Sequence, residues 1–418
     1  MTGEMSRGGQ QLIYDPRDRN FVVDPYPLYQ RLRSENPIHK SDLGFRVVTR
    51  HADCLSILKD RRFSSNGRRA DPELLKPEAI RNIRDSEIPI EIQEEMAPFL
   101  FKDPPDHTRL RGLVAKAFTP RVVESLRDSV LEVADRLIDE SLAVGTVDLV
   151  ESFAYPLPVA IISEMLGIPV EDRAMFKKWS EALARGLDPD FLLTEDLVQM
   201  RMNGFLSFIM YFTGLIEERR KDPRQDLVSL LVSVEEEGDK LSHPELLSTL
   251  ILLLVAGHET TVNLLSGSII SLLQNPDQIE VLLGNQDDLR NSVEELLRFV
   301  SPVQWTGRVA TEKTEVSGEI FAPGEFALML IGSANRDPDA FSDPESLNLA
   351  RPEVNHLGFG FGLHHCLGAP LARMEAQVAL PLIFSKTNLK LVNNEPIYKD
   401  NLVLRGLAQL PVTITRAS

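Results

Sequence analysis

The run Phe359-Gly360-Phe361-Gly362-Leu363-His364-His365-Cys366-Leu367-Gly368 sets a cysteine among glycines, with a phenylalanine seven positions before it. A thiolate that ligates a metal while its backbone lies against a flat cofactor needs such a setting. Glycine permits close approach and positive φ angles, and converging backbone N–H groups stabilise a sulfur anion. Two other uses of Cys366 compete with this one. A structural zinc site takes four Cys/His ligands at short spacing, yet only His364 and His365 lie near and the chain has no C-x-x-C. A thiol nucleophile needs a general base but no glycine cage.

A second group of reactive residues lies in Ala256-Gly257-His258-Glu259-Thr260-Thr261, amid a long apolar stretch. A glycine and an acid at the centre of a buried helix are both unfavourable. The Thr260 hydroxyl, four residues after Ala256, can compete for that carbonyl and open a local groove. Taken alone, the segment fits a kinked structural helix with a solvated glutamate equally well. His107 and Arg111 form a third group: at i and i+4 they share one helix face. A cationic pair there suits carboxylates, or is simply a solvated basic face.

Taken together, these segments resemble the cytochrome P450 family. The pattern F-G-x-G-x-H-x-C-x-G is similar to the family's haem-thiolate loop, and Ala256 to Thr261 is similar to its oxygen-activation motif A-G-x-[DE]-T-[TS]. Asp-Pro-Pro-Asp-His-Thr-Arg-Leu-Arg, from Asp103, resembles its propionate-binding segment. The resemblance implies haem b with Cys366 as axial thiolate ligand, Phe359 shielding the sulfur and Gly368 closing the loop. It implies His107, Arg111, Arg308 and His364 as propionate ligands. Thr260 and Glu259 would deliver protons during activation of O2, with His258 a packing or surface residue. Glu295-Leu296-Leu297-Arg298 resembles the family's buried E-x-x-R network, completed by an arginine near Asn335 to Pro338 or by Arg351. One departure is Asn348, where the family commonly has aspartate.

The implied activity is a monooxygenase inserting one oxygen atom into a hydrophobic small molecule, by hydroxylation or epoxidation. Electrons would come from NAD(P)H through a separate ferredoxin reductase and ferredoxin, or a flavodoxin-type donor. The alternative is a peroxide-driven or non-hydroxylating haem-thiolate protein. By position relative to the motifs, Leu252, Val255, Ala256, Val303, Val403 and Leu404 should line the substrate pocket, with residues 71–98 and 184–212 forming a lid.

The elements that must position these groups are mostly helical. Ser242-His243-Pro244-Glu245 reads as a capping box opening a helix that Asn275-Pro276 ends. That is about 32 residues, or ~48 Å, so it must cross the interior. Asp103 reads as the acidic N-cap of the helix carrying His107. Residues 309–331 alternate like hairpins, with a turn at Pro323-Gly324, and residues 369–384 read as one more helix before a β-rich tail. The expected fold is mainly α with a smaller β region, the triangular α-rich prism of the P450 fold with haem between the long helix and the cysteine loop.

The 418 residues are 43% hydrophobic and 26% charged, without linker, repeat or low-complexity tract, so residues 1–418 read as a single domain. Two cysteines make no disulfide framework, which fits the cytoplasm. Cys54, on an amphipathic pattern, reads as a core residue. The polar N-terminus indicates no signal peptide or membrane anchor, and the run from Leu250 to Gly257 is far shorter than a membrane span. A net charge of −17 argues against nucleic acid and anionic membranes. A monomer is expected.

Overall fold

The computed structural model describes residues 12–16, 18, 23–76, 94–189, 192–236, 241–284, 289–393 and 395–417. Much of the expected lid segment 71–98 lies outside them. Helices dominate, and the central one runs His243–Gln274, with the capping box present: the Ser242 hydroxyl accepts from Glu245 N and the Glu245 carboxylate accepts from Ser242 N. Its 32 residues place leucines, isoleucines and valines on nearly every face, so it sits in the main hydrophobic core. Each fully buried aliphatic side chain contributes about 1.5–3 kcal/mol. By length and hydropathy this helix could cross a membrane, but most of it is buried inside the protein. Its apolar character extends well beyond the short run read from the sequence, because isolated polar residues such as Asn263 and Ser266 are buried with it.

Close approach explains the glycine at its centre. A Cβ at Gly257 would come within 2.8 Å of the Ile162 side chain on the helix Pro156–Leu166. The Thr260 hydroxyl does donate to the Ala256 carbonyl, at 3.0 Å. The helix is nevertheless continuous through this point, so the expected local groove does not form by breaking it.

The strands before the central helix are β1 (Ile38–Lys40), β2 (Arg46–Val48), β3 (Phe63–Ser64) and β4 (Thr146–Asp148). After it come β5 (Trp305–Ala310), β6 (Thr314–Val316), β7 (Glu319–Phe321) and β8 (Phe326–Leu330). The tail adds β9 (Thr387–Leu391), β10 (Ile397–Tyr398), β11 (Leu407–Gln409) and β12 (Pro411–Arg416). One sheet has the order β1-β2-β8-β5-β3, and the tail strands form small antiparallel sheets. Arg308 sits on β5 opposite Ala327 of β8. The expected turn at Gly324 has φ +82°, as a residue without Cβ allows. Cys54 is fully buried, as expected.

The E-x-x-R pair is buried completely. Glu295 accepts from Arg298 Nε at 2.7 Å and Nη2 at 2.8 Å, and from Arg351 Nε at 2.9 Å. Arg351 is therefore the third member. Arg298 also donates to the carbonyls of Asn335, Pro344 and Ser346. Asn348 joins through its backbone, donating N–H to Glu295 Oε1 at 2.9 Å, so the change from aspartate leaves this contact intact. The network ties the helix Leu289–Val300 to the segment leading into the cysteine loop. Removing one partner strands a buried charge, so Glu295→Ala should lower stability by about 3–5 kcal/mol, measured by denaturant unfolding. A loss near zero would show that the network bears no structural load.

Candidate active site

The cysteine loop is shaped by two glycines with positive φ, Gly360 at +67° and Gly362 at +70°. A Cβ at Gly362 would also stand 2.9 Å from the Leu58 carbonyl. The Cys366 N–H donates to the Phe359 carbonyl at 2.8 Å, closing the loop. Phe359 packs against it, with the Arg373 guanidinium 4.5 Å over its ring and the His365 ring 6.2 Å away. Gly368 follows as N-cap of the helix Ala369–Lys386. A Cβ there would meet no described protein atom within 4 Å, so the protein's own packing does not demand glycine and the space beside Gly368 is open.

Cys366 is exposed on one flank, yet the chain around it is dense enough that desolvation pushes its thiol above the ordinary range. The N–H of Gly368, the Arg111 guanidinium, the N–H of Ala369 and Arg373 all act the other way, in favour of the thiolate. Metal coordination would decide the balance, because a coordinating thiol is deprotonated outright.

Two arginines and two histidines gather beside this loop. His107 is 1% exposed and neither ring nitrogen has a hydrogen-bond partner among the described residues; its ring lies 4.1 Å from that of His364. Arg111 Nη2 donates to the His365 carbonyl at 2.6 Å, and Arg308 Nη1 to the Gly307 carbonyl at 2.7 Å. Burial, then the charges of Arg308 and His107, lowers His364 to about 3. Burial lowers Arg308 to about 10, Arg111 falls for the same reason, and His107 falls through burial and Arg111. The one acid acting on Arg308, Asp103, is committed to the Ser64 hydroxyl, to Ser65 N at 3.0 Å and to Arg69 at 3.3 Å. Those bonds also correct the expected capping: Asp103 caps no helix, which begins at Asp106 without a side-chain cap. A group bearing two carboxylates fits this cluster, so haem with its propionates fits the residues present.

On the central helix, Leu252, Ala256 and Thr260 recur at i, i+4 and i+8, and all three are partly or fully exposed while their neighbours Ile251, Leu253, Leu254, His258 and Glu259 are buried. One face in the middle of a core helix is thus left uncovered by protein.

The Cytochrome P450 family pattern matches residues 89–415. The chain is 39% identical over 97% of its length to the polyketide biosynthesis cytochrome P450 PksS of Bacillus subtilis, covering all of that protein. It is 36% identical to the vitamin D(3) 25-hydroxylase of Pseudonocardia autotrophica, over 94% of each chain. The solved structure of Mycobacterium smegmatis CYP164A2 with econazole bound superposes with a TM-score of 0.85 at 37% identity, over 95% of this chain and 98% of that one. The chain belongs to the cytochrome P450 family. It is a P450 monooxygenase with the P450 fold, and the family implies a haem held by a cysteine thiolate.

In this P450 the acid of the acid–alcohol pair is not solvated. Glu259 is 2% exposed; Lys399 Nζ lies 3.2 Å from its Oε2 and His258 Nε2 3.6 Å from its Oε1, an electrostatic distance rather than a hydrogen bond. Burial raises its pKa, but His258 and Lys399 outweigh that and hold it at about 2. His258 is fully buried, not at the surface: its Nδ1 donates to the Leu254 carbonyl at 2.7 Å and its ring meets Tyr155 edge-on at 5.8 Å. Lys399 and Tyr155 escaped the sequence reading, since nothing local in the sequence marks either as a neighbour of Glu259.

Of the expected pocket residues, Leu252 and Ala256 lie on the uncovered face, but Val255 points about 100° away and is buried in the core. Val303 pairs with Leu404 across an isolated bridge, and Gln304 N donates to the Val403 carbonyl at 2.8 Å. Val303 and Val403 are half-exposed, whereas Leu404 is buried and backs this wall instead of facing outward from it.

His364 offers a test of the cationic cluster in the apoprotein. Its folded pKa of about 3 lies below the ordinary 6.5, so the unfolded state binds more protons between those values and stability falls as pH drops through that window. His364→Asn should flatten this fall in thermal unfolding of apoprotein. An unchanged pH dependence in the variant would contradict the clustering.

Proposed function

We propose that the whole chain, residues 1–418, acts as one haem-thiolate monooxygenase unit that inserts an oxygen atom from O2 into a hydrophobic small molecule, by hydroxylation or epoxidation. The observation that carries this reading is an exposed cysteine beside two arginines and two histidines whose charged forms burial disfavours, with Asp103 the carboxylate that acts on them among the described residues. Haem b would be held by Cys366 as axial thiolate, by Phe359 and Gly368 at the loop, and by His107, Arg111, Arg308 and His364 at its propionates. When bound, the thiolate-ligated cofactor supplies O2 activation, the thiolate favouring O–O cleavage.

The chain's own residues then handle protons and orientation. The Thr260 hydroxyl, bonded back to the Ala256 carbonyl, can rotate from it to donate toward the uncovered face. Glu259 is the buried acid beside it, and Lys399, with a side chain 20% exposed, joins that acid to the surface. Proton transfer from a positioned group is worth roughly 10²–10⁴ in rate. Leu252, Ala256, Val303 and Val403 offer only aliphatic surface to a substrate, in keeping with the polyketide and vitamin D named for two relatives. Electrons would arrive from NAD(P)H through ferredoxin reductase and ferredoxin, or a flavodoxin-type donor, which must find a local basic surface on a chain of net charge −17.

Turnover of a hydrophobic compound with NAD(P)H, ferredoxin reductase and ferredoxin should form oxidised product, and Thr260→Ala should cut product per NAD(P)H consumed by about tenfold or more. Product formation driven by peroxide alone, equal in both proteins, would contradict the monooxygenase reading. Lys399→Met removes a cation from Glu259, so the acid should titrate at higher pH and the acid limb of the kcat profile should move upward with it. A profile that does not move would exclude Lys399 from the proton route.

A further inference from the structure

Asp188 is a buried acid that oxygen activation does not use. It lies just beyond the helix Phe176–Arg185, its side chain is fully buried, and burial pushes its carboxyl above the usual range. A buried carboxylate is costly unless it is paired and hydrogen-bonded. Here Arg185 pairs with it. Its other bonds go to one place: Leu402 N donates to both oxygens at 3.0 Å, and Val403 N to Oδ1 at 2.8 Å.

Those N–H groups belong to the irregular loop between β10 and β11. On its other side the same loop is bonded to the segment before β5: Gln304 N to the Val403 carbonyl at 2.8 Å, Arg405 N to the Pro302 carbonyl at 2.9 Å, and the bridge Val303–Leu404. The backbone at 402–405 is therefore gripped from both sides. One grip is an ordinary strand-like pairing; the other is the Asp188 side chain, from the turn after a helix and 214 residues away from Leu402.

We propose that Asp188 is a positioning residue for substrate, fixing through the Leu402–Val403 backbone the wall that Val303 and Val403 present. This rests on the reading that these residues line the substrate pocket. Asp188 touches neither substrate nor cofactor; it acts through the amides it holds. Substitution by asparagine keeps the shape, but whichever way the amide turns its NH2 faces a donor, the Arg185 guanidinium in one orientation and Val403 N in the other, so the hold on the loop weakens and the wall loosens.

Two azoles separate this role from a general structural one. Imidazole and econazole both ligate haem iron through an azole nitrogen, read as an absorbance shift, but only econazole is large enough to reach the walls. In Asp188→Asn holoenzyme, econazole Kd should rise about tenfold or more while imidazole Kd stays within about twofold and the carbon-monoxide spectrum of the reduced protein is unchanged. Equal weakening of both azoles, or an unchanged econazole Kd, would overturn the proposal. Wild-type holoenzyme that binds imidazole but not econazole would overturn the pocket reading and the inference with it. Hydrogen exchange on the wild type needs no variant. The Leu402 and Val403 amides should exchange as slowly as those of β5, and exchange at free-loop rates would overturn the assignment.

Discussion

The structure depends on a cluster of two arginines and two imidazoles taken out of water, with Asp103 the carboxylate that acts on it among the described residues. His107, Arg111, Arg308 and His364 each have their charged forms disfavoured by burial, and Asp103, which only partly offsets this at His107, Arg308 and His364, also bonds to Ser64, Ser65 and Arg69. Beside them stands a thiol with the complementary deficiency: backbone N–H groups and arginines favour its anion, yet burial prevails. Both deficits would be met by one group that carries carboxylates at its edge and a metal at its centre. Cofactor binding would thereby be linked to folding, since carboxylates bound there would offset the Arg111 and Arg308 charges that burial disfavours.

The rest of the fold holds these half-sites in register. Glu295, Arg298 and Arg351 join the helix Leu289–Val300 to the segment entering the cysteine loop, a buried charge network fully satisfied by its own members and nearby carbonyls. The central helix carries the opposite wall, and Gly257 lets the helix Pro156–Leu166 press against it where Ala256 and Thr260 are left uncovered. The tail reaches back twice, through Lys399 to Glu259 and through Leu402 and Val403 to Asp188. On the proposed reading, proton supply and pocket shape share one short stretch of chain.

What the sequence revealed was local. The central helix could be read to within a residue, because its capping box and its Asn275-Pro276 stop are both short-range signals. The cysteine loop was legible for the same reason: its glycines answer to backbone angles and close contacts within the loop's own neighbourhood. Asp103 was misread as a helix cap, since a local preference gave way to serines about 40 residues earlier in the chain. The Glu259–Lys399 and Asp188–Leu402 contacts span 140 and 214 residues, and no periodicity or motif encodes such distances. Val255 was assigned by proximity to the motif, whereas one residue of helical rotation carried it into the core.

Cys366 as the thiolate ligand of a haem held beside the arginine–histidine cluster has a direct spectroscopic consequence. The carbon-monoxide difference spectrum of the reduced holoprotein tests it most directly. A band near ~450 nm in the wild type, displaced to the shorter wavelengths of histidine-ligated haem in Cys366→His, is the predicted result. A wild-type band already at those shorter wavelengths, or one that Cys366→His leaves in place, would contradict it.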